Sequence, residues 1–390
     1  MMLYMHAFLL VNGMNRKYYI IIGSKKYFHN YTKSKEEPIS FLDLVRISDA
    51  LSNSKNKDVD FSDLKTNILI IKNDCYHGIT EQAHDRLGNM IEEFTTEDAT
   101  IYIHNPPKTL KEYILAKKSI QLCEVIIEEE EYNICGEVKD FSTNIANIEK
   151  IIIGQHSAVM EMAKSMWFLL HTKRKKPYVV MLYGKSSLGK TELVRTIANY
   201  FYNGMFLEKH LSMFQNGNYA DYFFGEKPNR KTLGYDLLER KSNLVFLDEI
   251  DKCPSGFYSA FYTLFDNEIF QEASYEVDIS NMLIVITSNY VNEKEMQENL
   301  GLPVFYRIDK FIHFKEFDES TIYQITRNEI KRVLDEMDTE VEFNQIYKVV
   351  SKQIKISGEN ARTIKNKVQN VIEEETFKSV SEAVKNHIDK

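Results

Sequence analysis

The sequence predicts an α/β protein in which a parallel sheet flanked by helices carries a phosphate-binding loop, with a small α/β domain before it and a helical domain after it. Three observations lead there. The octapeptide Gly184-Lys185-Ser186-Ser187-Leu188-Gly189-Lys190-Thr191 follows the apolar run Val179 to Tyr183 and opens a helix-like segment. A second apolar run, Leu244 to Leu247, ends on Asp248-Glu249. These runs, and a third at Met282 to Ile286, are continuous rather than alternating, as suits strands covered on both faces of a parallel sheet.

Taken in order, the apolar stretch Ala7 to Val11 lacks a basic leader and a small-residue cleavage site, so a buried strand is expected there. Short β-rich runs follow at Tyr18 to Ile22, Asn67 to Ile71 and Thr100 to Ile103, alternating with helix-like stretches at Glu81 to Phe94 and Thr109 to Lys118. Residues 1–140 are therefore expected to form a small α/β domain. The acidic run Glu128 to Glu131, after the β-like Cys123 to Ile127, is expected to be a solvated strand end. An amphipathic helix is expected from Ala158 to Leu170, with Trp167 on its apolar stripe, and the basic tract Lys173 to Lys176 reads as a solvated loop. The large domain spans 141–317 and includes a last strand at Phe311 to Phe314. Three helical segments from about Asp318 make up a domain of residues 318–390.

Composition sets broad limits. A chain of 390 residues with 43% hydrophobic content can bury a core in each of two or three domains. Net charge is −8 with a pI near 5.8, which argues against a generally basic, nucleic-acid-coating surface. Cys75, Cys123, Cys135 and Cys253 are scattered without a paired spacing, as expected of reduced thiols in the cytoplasm. No run approaches the roughly 20 apolar residues of a membrane span. In the first domain, Cys75, His77 and His84, and the acidic cluster Asp58, Asp60 and Asp63, lack the spacing of a metal-hydrolase motif and are read as structural.

The octapeptide is where chemistry enters. Its glycines let the backbone wrap an anion, and successive N–H groups and a helix N-terminus face phosphates; Lys190 reaches the outer phosphates and Thr191 holds Mg²⁺. A nucleoside triphosphate is the ligand that needs all of these. Asp248 and Glu249 then stand at the carboxyl end of a buried strand, the sheet edge where such folds bind ligands. Asp248 is expected to hold the metal's water shell, and Glu249 to orient and deprotonate the attacking water. Asn289 ends the next apolar run, where its amide can bond that water or the γ-phosphate; its alternative is a turn-forming Asn.

With these residues in place, about 151 to 370 resembles an AAA+ ATPase of the Clp type, the branch of the second ring domain of ClpB and of ClpX. Gly-Lys-Thr-Glu-Leu at 189–193 and Leu-Asp-Glu-Ile-Asp-Lys at 247–252 match that branch nearly letter for letter. Ile153-Gly154-Gln155 is similar to its adenine-flanking segment, which with Glu192 extends the nucleotide contacts. The stretch Phe305 to Asp309 resembles the segment with the arginine finger, and Gly358 to Arg362 resembles sensor 2. The resemblance implies a Mg²⁺-dependent ATPase, with the AAA+ large domain followed by a helical lid domain. It implies Arg307 acting in a neighbouring subunit's site, Arg362 touching phosphates in cis, and a homo-oligomeric ring, usually a hexamer.

One departure bears on function. The Gly-aromatic-Val-Gly pore loop of Clp unfoldases has no counterpart in the shortened stretch Tyr222 to Lys231. Tyr222 to Phe224 reads as a buried helix end or a displaced gripping cluster, and Lys227, Arg230 and Lys231 as solvated charges or a face for nucleic acid or an acidic partner. Residues 1–140 resemble no Clp adaptor-binding domain. Three functions remain open: an ATPase remodelling a protein or protein complex, with residues 1–140 choosing a client or partner effector; a DNA-directed AAA+ motor or switch acting with an effector, as in mobile-element or phage-defence systems; and a nucleotide-gated scaffold.

Overall fold

The structure is a computed structural model and describes residues 16–35, 39–52, 65–132, 138–213, 219–225, 229–337, 341–355 and 358–388. The expected strand at Ala7 to Val11, the cluster Asp58, Asp60 and Asp63, Cys135, and the loop residues Glu226, Lys227 and Pro228 lie outside the described residues.

The first sheet, among the described residues, holds β1 (Lys17–Ile22), β2 (Thr66–Ile71), β3 (Thr95–His104) and β4 (Glu124–Glu129), all parallel in the order β2-β3-β1-β4. β1, β2 and β3 are largely apolar on both sides because both faces are covered, while the edge strand β4 buries only Val125. Ile20, Leu69, Ile101 and Ile103 pack on one face with Phe41, Phe94 and Leu110, while Ile21, Ile70 and Tyr102 pack on the other with Phe28. Burying each such side chain contributes about 1.5–3 kcal/mol.

The expected helix at Glu81 to Phe94 is two, Glu81–His84 and Leu87–Glu93. The break sits where His84 is tied down, its Nε2 donating to the Tyr76 carbonyl at 2.7 Å. The acidic run is also less solvated than expected. Glu130 accepts from the Ser24 backbone N–H at 2.6 Å and the Ser24 hydroxyl at 3.1 Å, because the end of β4 lies beside the turn after β1.

In the second region the chain runs through β5 (Tyr178–Tyr183), β6 (Leu207–His210), β7 (Leu244–Asp248), the antiparallel pair β8 (Ile269–Gln271) and β9 (Glu276–Asp278), β10 (Leu283–Ser288) and β11 (Lys310–His313). Apart from β8 and β9 these form a parallel sheet in the order β11-β5-β10-β7-β6. Continuous apolarity is explained by two-sided burial: Val179, Met181, Val245 and Ile284 face Phe261 and Phe265, and Val180, Leu182, Phe246 and Val285 face Met162, Met166 and Leu193. Trp167 is half-buried and meets Phe141 edge-on at 5.1 Å between ring centroids. The basic tract is partly engaged rather than solvated: Arg174 pairs with Asp309 at 2.5 Å and Lys176 with Asp266 at 2.8 Å.

The helices Glu319–Asp335, Phe343–Gln353 and Ala361–Ile388 share a core of Ile322, Ile330, Ile346, Val350, Ile364 and Val368. No helix among the described residues is long and apolar enough to cross a membrane.

Glu272, just after β8, is buried and braces both flanks of the loop that follows the helix Tyr219–Phe224. Its carboxyl accepts from Thr232 Oγ1 and from Gly234 N at 3.1 Å, while the adjacent Ala273 N and Ser274 Oγ donate to the carbonyls of Phe224 and Gly225. Burial pushes the carboxyl up to about 7, despite those hydrogen bonds. A carboxyl raised on folding stabilises below its unfolded pKa and loses that contribution as pH rises through 7. Glu272→Gln should therefore gain on the parent by about 1–3 kcal/mol between about pH 5 and pH 8, read from denaturant unfolding at the two pH values.

Candidate functional site

The loop between β5 and the helix Lys190–Phe201 is built for close approach. Gly184 has φ 135°, and a Cβ there would lie 2.4 Å from the Phe314 carbonyl oxygen. Ser187 (φ 61°) and Gly189 (φ 100°) also adopt left-handed backbone, which curls the chain before the helix starts. Lys190 is only 7% exposed, and its Nζ donates to the carbonyls of Gly184 (2.6 Å) and Lys185 (2.8 Å) and to Asn289 Oδ1 (3.3 Å). Burial holds its ammonium down at about 8, with Asp251, Asp248 and Glu249 pulling the other way. A buried cation with mainly neutral partners at a helix N-terminus is a seat for an anion.

The acidic side of the site comes from β7 and β10. Thr287 Oγ1 donates to Asp248 Oδ1 and accepts from the Glu249 backbone N–H at 2.9 Å. Glu249 itself is left-handed (φ 61°, ψ 53°), turning the chain sharply off the strand. Asp251 Oδ1 accepts from the Asn289 backbone N–H at 3.1 Å and Oδ2 from Asn289 Nδ2 at 3.3 Å. That contact orients the amide so that its oxygen faces Lys190.

Two adjoining cavities meet across the loop. One, of about 500 Å³, is polar and is lined by Ser186, Ser187, Gly189, Lys190, Thr191, Glu192, Asp248, Glu249, Asn289 and Arg362. The other, of about 430 Å³, has an apolar side of Ile153, Leu188, Phe317 and Ile325 and a charged rim of Lys150, Glu192, Glu329, Arg332 and Lys365. The start of the helix Ala361–Ile388 meets the loop through a hydrogen bond from Ala361 N to the Ser187 carbonyl at 3.1 Å. Gln155 stitches the cavity wall, donating to the carbonyls of Leu188 (3.3 Å) and Lys315 (2.8 Å) and accepting from Lys315 N (3.2 Å). A polar half beside an apolar half suits a triphosphate continued by a planar base.

Most of the expected residues thus line one continuous space. Lys185 is turned outward to Glu316 at 2.6 Å, and Leu188 is buried. Arg307 lines neither cavity; it donates to the Pro303 carbonyl at 2.7 Å, pairs with Asp266 at 3.4 Å and lies 4.7 Å over the Tyr262 ring. Sequence reasoning missed four residues: Asp251, Thr287, Gln155 and His210. Asp251 and Gln155 sit inside quoted motifs and Thr287 directly follows the apolar run Met282 to Ile286, and only their partners reveal what they do. His210 is brought opposite Asp248 by the pairing of β6 with β7, its Nδ1 3.3 Å from Asp248 Oδ2 and its Nε2 3.5 Å from Glu208 Oε1. These three can offer ligand atoms to one cation.

Comparison with known proteins bears on the family and the fold. Residues 175–386 match the profile of the family described as AAA domain (Cdc48 subfamily). The chain is 23% identical over 278 residues to the chloroplastic chaperone protein ClpB3 of Arabidopsis thaliana, covering 60% of this chain and 28% of that one. It is 27% identical over 158 residues to chaperone protein ClpB of Yersinia enterocolitica (37% of this chain, 18% of the relative), and 29% identical over 157 residues to the AAA+ ATPase ClpV1 of Pseudomonas aeruginosa (37% and 17%). The chain thus spans less than a third of those relatives. A closed-state structure of Hsp104 with ATPγS and FITC casein shares the fold at a TM-score of 0.51 and 16% identity, over 78% of this chain and 59% of that one. With a profile match that covers more than half of its residues, the chain belongs to the AAA domain (Cdc48 subfamily) family, as an AAA+ ATPase of the Clp type.

Proposed function

We propose that this chain is a ring-forming ATPase that couples ATP hydrolysis to remodelling of a protein or protein complex, with residues 1–140 selecting the client or effector. One observation carries the ring: the cavity gathers Lys190, Asp248, Glu249, Asn289 and Arg362, yet Arg307 stands outside it on a partly exposed surface. A second copy would bring that guanidinium to a site that lacks it in cis. Likeness to ClpB chaperones and to an Hsp104 recorded with casein supports a protein client. Of the loop cations read as solvated charges or a face for nucleic acid or an acidic partner, Arg230 pairs with Asp221 at 2.9 Å and Lys231 lies over Tyr235. A cytoplasmic hexamer is the form we assign by resemblance.

We divide the chain into 1–140, 141–317 and 318–390. The helix Val138–Ile151 supports the first boundary, since Phe141, Ile145 and Ile148 enter the core of the second sheet.

In this mechanism Lys190 and the N–H groups of 184–191 hold the phosphates, and Ile153 and the apolar cavity hold the base. Thr191 and Asp248 fit Mg²⁺, a hard cation that prefers such oxygens and spreads charge off the phosphates when bound. Glu249 takes the proton of the attacking water, from a backbone position that Thr287 fixes. Asn289, aligned by Asp251, orients that water. Arg362 meets the phosphates from the lid helix, so nucleotide state bears on the angle between the two units.

Lys190→Ala should abolish nucleotide binding, measured by calorimetry. Glu249→Gln should retain ATP while turnover drops by about 10²–10⁴-fold. Arg307→Ala should bind ATP normally with turnover down roughly 10³-fold, and mixing it with Lys190→Ala subunits should restore part of the rate; absence of restoration would remove the trans role. Stimulation of turnover by DNA but not by unfolded protein would reassign the client. Because phosphates raise the pKa of Lys190 from about 8, ATP binding at about pH 8.5 should take up protons and weaken as pH rises further, seen by calorimetry in buffers of different ionisation enthalpy.

A further inference from the structure

The carboxyl edge of a parallel sheet is where open α/β folds hold ligands. In the first sheet this edge faces the chain's own ATPase region, which covers the ends of β1, β2 and β3 in part and leaves a cavity of about 560 Å³ beside Gly23 and the end of β4. β1, β2 and β3 end there at Ile22, Ile71 and His104, and the helix Lys25–Thr32 presents its N-terminus to the same crevice. Glu239, which follows the helix Leu233–Leu238, reaches in from the other side. Its Oε2 accepts from the Lys25 backbone N–H at 3.0 Å, and its Oε1 accepts from Asn73 Nδ2 at 2.9 Å.

This carboxylate is only partly compensated. His104 Nε2 lies 3.7 Å away but donates to the Gly23 carbonyl at 2.8 Å, and burial keeps the ring neutral by holding its pKa down to about 4. Asn73 is 1% exposed, and its Oδ1 has no hydrogen-bond partner. An acceptor is therefore left unmatched beside another group that only accepts. Burial raises the Glu239 pKa more than Asn73 and Lys25 lower it. A buried acceptor left unmatched carries a desolvation cost, which makes this contact weaker than a fully paired one.

The surrounding contacts make it an interface. Tyr235 donates from its hydroxyl to Asp74 at 2.7 Å, and Asp74 pairs with Lys25 at 2.6 Å. Tyr132 donates to the Arg240 carbonyl at 2.9 Å, and Lys108 N donates to the Ser274 carbonyl at 2.8 Å. The interface also leads to the catalytic strands. The Arg240 guanidinium, next to Glu239, donates to Asn243 Oδ1 (3.1 Å) and to the carbonyls of Leu237 (2.8 Å) and Asp278 (3.0 Å). Asn243 immediately precedes β7, which ends on Asp248, and its carbonyl accepts from Leu283 at the start of β10.

We propose that Glu239 is a releasable clasp: the crevice of the N-terminal sheet is the receptor for this carboxylate of the ATPase region, and opening of that contact is coupled to nucleotide turnover. The coupling rests on the ATPase reading above; the clasp does not. Two substitutions in the full chain separate the roles. Glu239→Ala removes the contact, whereas Glu239→Gln keeps an acceptor for Lys25 N–H and, once the Asn73 amide turns over to bring its Oδ1 to that side, adds a donor for Asn73 Oδ1.

Amide hydrogen exchange over residues 24–32 should accelerate about tenfold or more in Glu239→Ala and slow in Glu239→Gln. The turnover rates of the two variants should depart from the parent in opposite directions with ATP binding retained. Asn73→Ala combined with Glu239→Ala should add little to either alone. Unchanged exchange in both Glu239 variants, or full additivity with Asn73→Ala, would overturn the clasp. Altered exchange with unchanged turnover would overturn the coupling. A parent chain that binds but never turns over ATP would sink the ATPase reading, while exchange still decides the clasp.

Discussion

The structure turns on the burial of one ammonium group. Lys190 sits at the head of a helix, enclosed by carbonyls of its own loop and facing the carboxylates at the end of β7 and the amide that follows β10. Desolvating a cation there is costly, and the surroundings are organised to bear that cost. Gly184 removes the Cβ that would collide with the Phe314 carbonyl, so the loop closes tightly enough for its carbonyls to reach Nζ. Asp251 turns the Asn289 amide oxygen toward the same nitrogen. Remove the charge and the carbonyl cage, the oriented amide and the inward-facing acids lose their common reason.

What is legible in the sequence follows from how local each signal is. The loop 184–191 announces itself because two glycines and a lysine at fixed spacing encode a backbone shape directly, and Asp248-Glu249 because a continuous apolar run must end where water begins. Asn289 and Arg362 become readable through their order along the chain. Asp251 is different: it sits in a quoted motif, but its work is a contact across to β10 that spacing does not encode. His210 is reached only through strand pairing, and Gln155, though it ends the quoted Ile153-Gly154-Gln155, takes its role from a contact 160 residues away.

The N-terminal sheet shows the same division. Its strands are visible as β-rich runs, yet their order β2-β3-β1-β4 places Asn73, His104 and Lys25 around one crevice by topology alone. Periodicity likewise runs through the break between His84 and Leu87, because the cause is a hydrogen bond back to Tyr76 rather than a breaker residue. Glu130 looks like a solvent-facing charge until β4 is laid beside β1 and its carboxylate meets Ser24.

The short connection from β11 into the C-terminal helices is stitched at three successive residues, to the end of β5, to Gln155 and to the phosphate loop. Phe314 donates its N–H to the Tyr183 carbonyl at 2.8 Å, Lys315 is gripped by Gln155, and Glu316 pairs with Lys185. A tether bound this densely behaves as a crank rather than a hinge. Movement of the loop is handed to the helical unit at its root, through backbone that has little slack to absorb it.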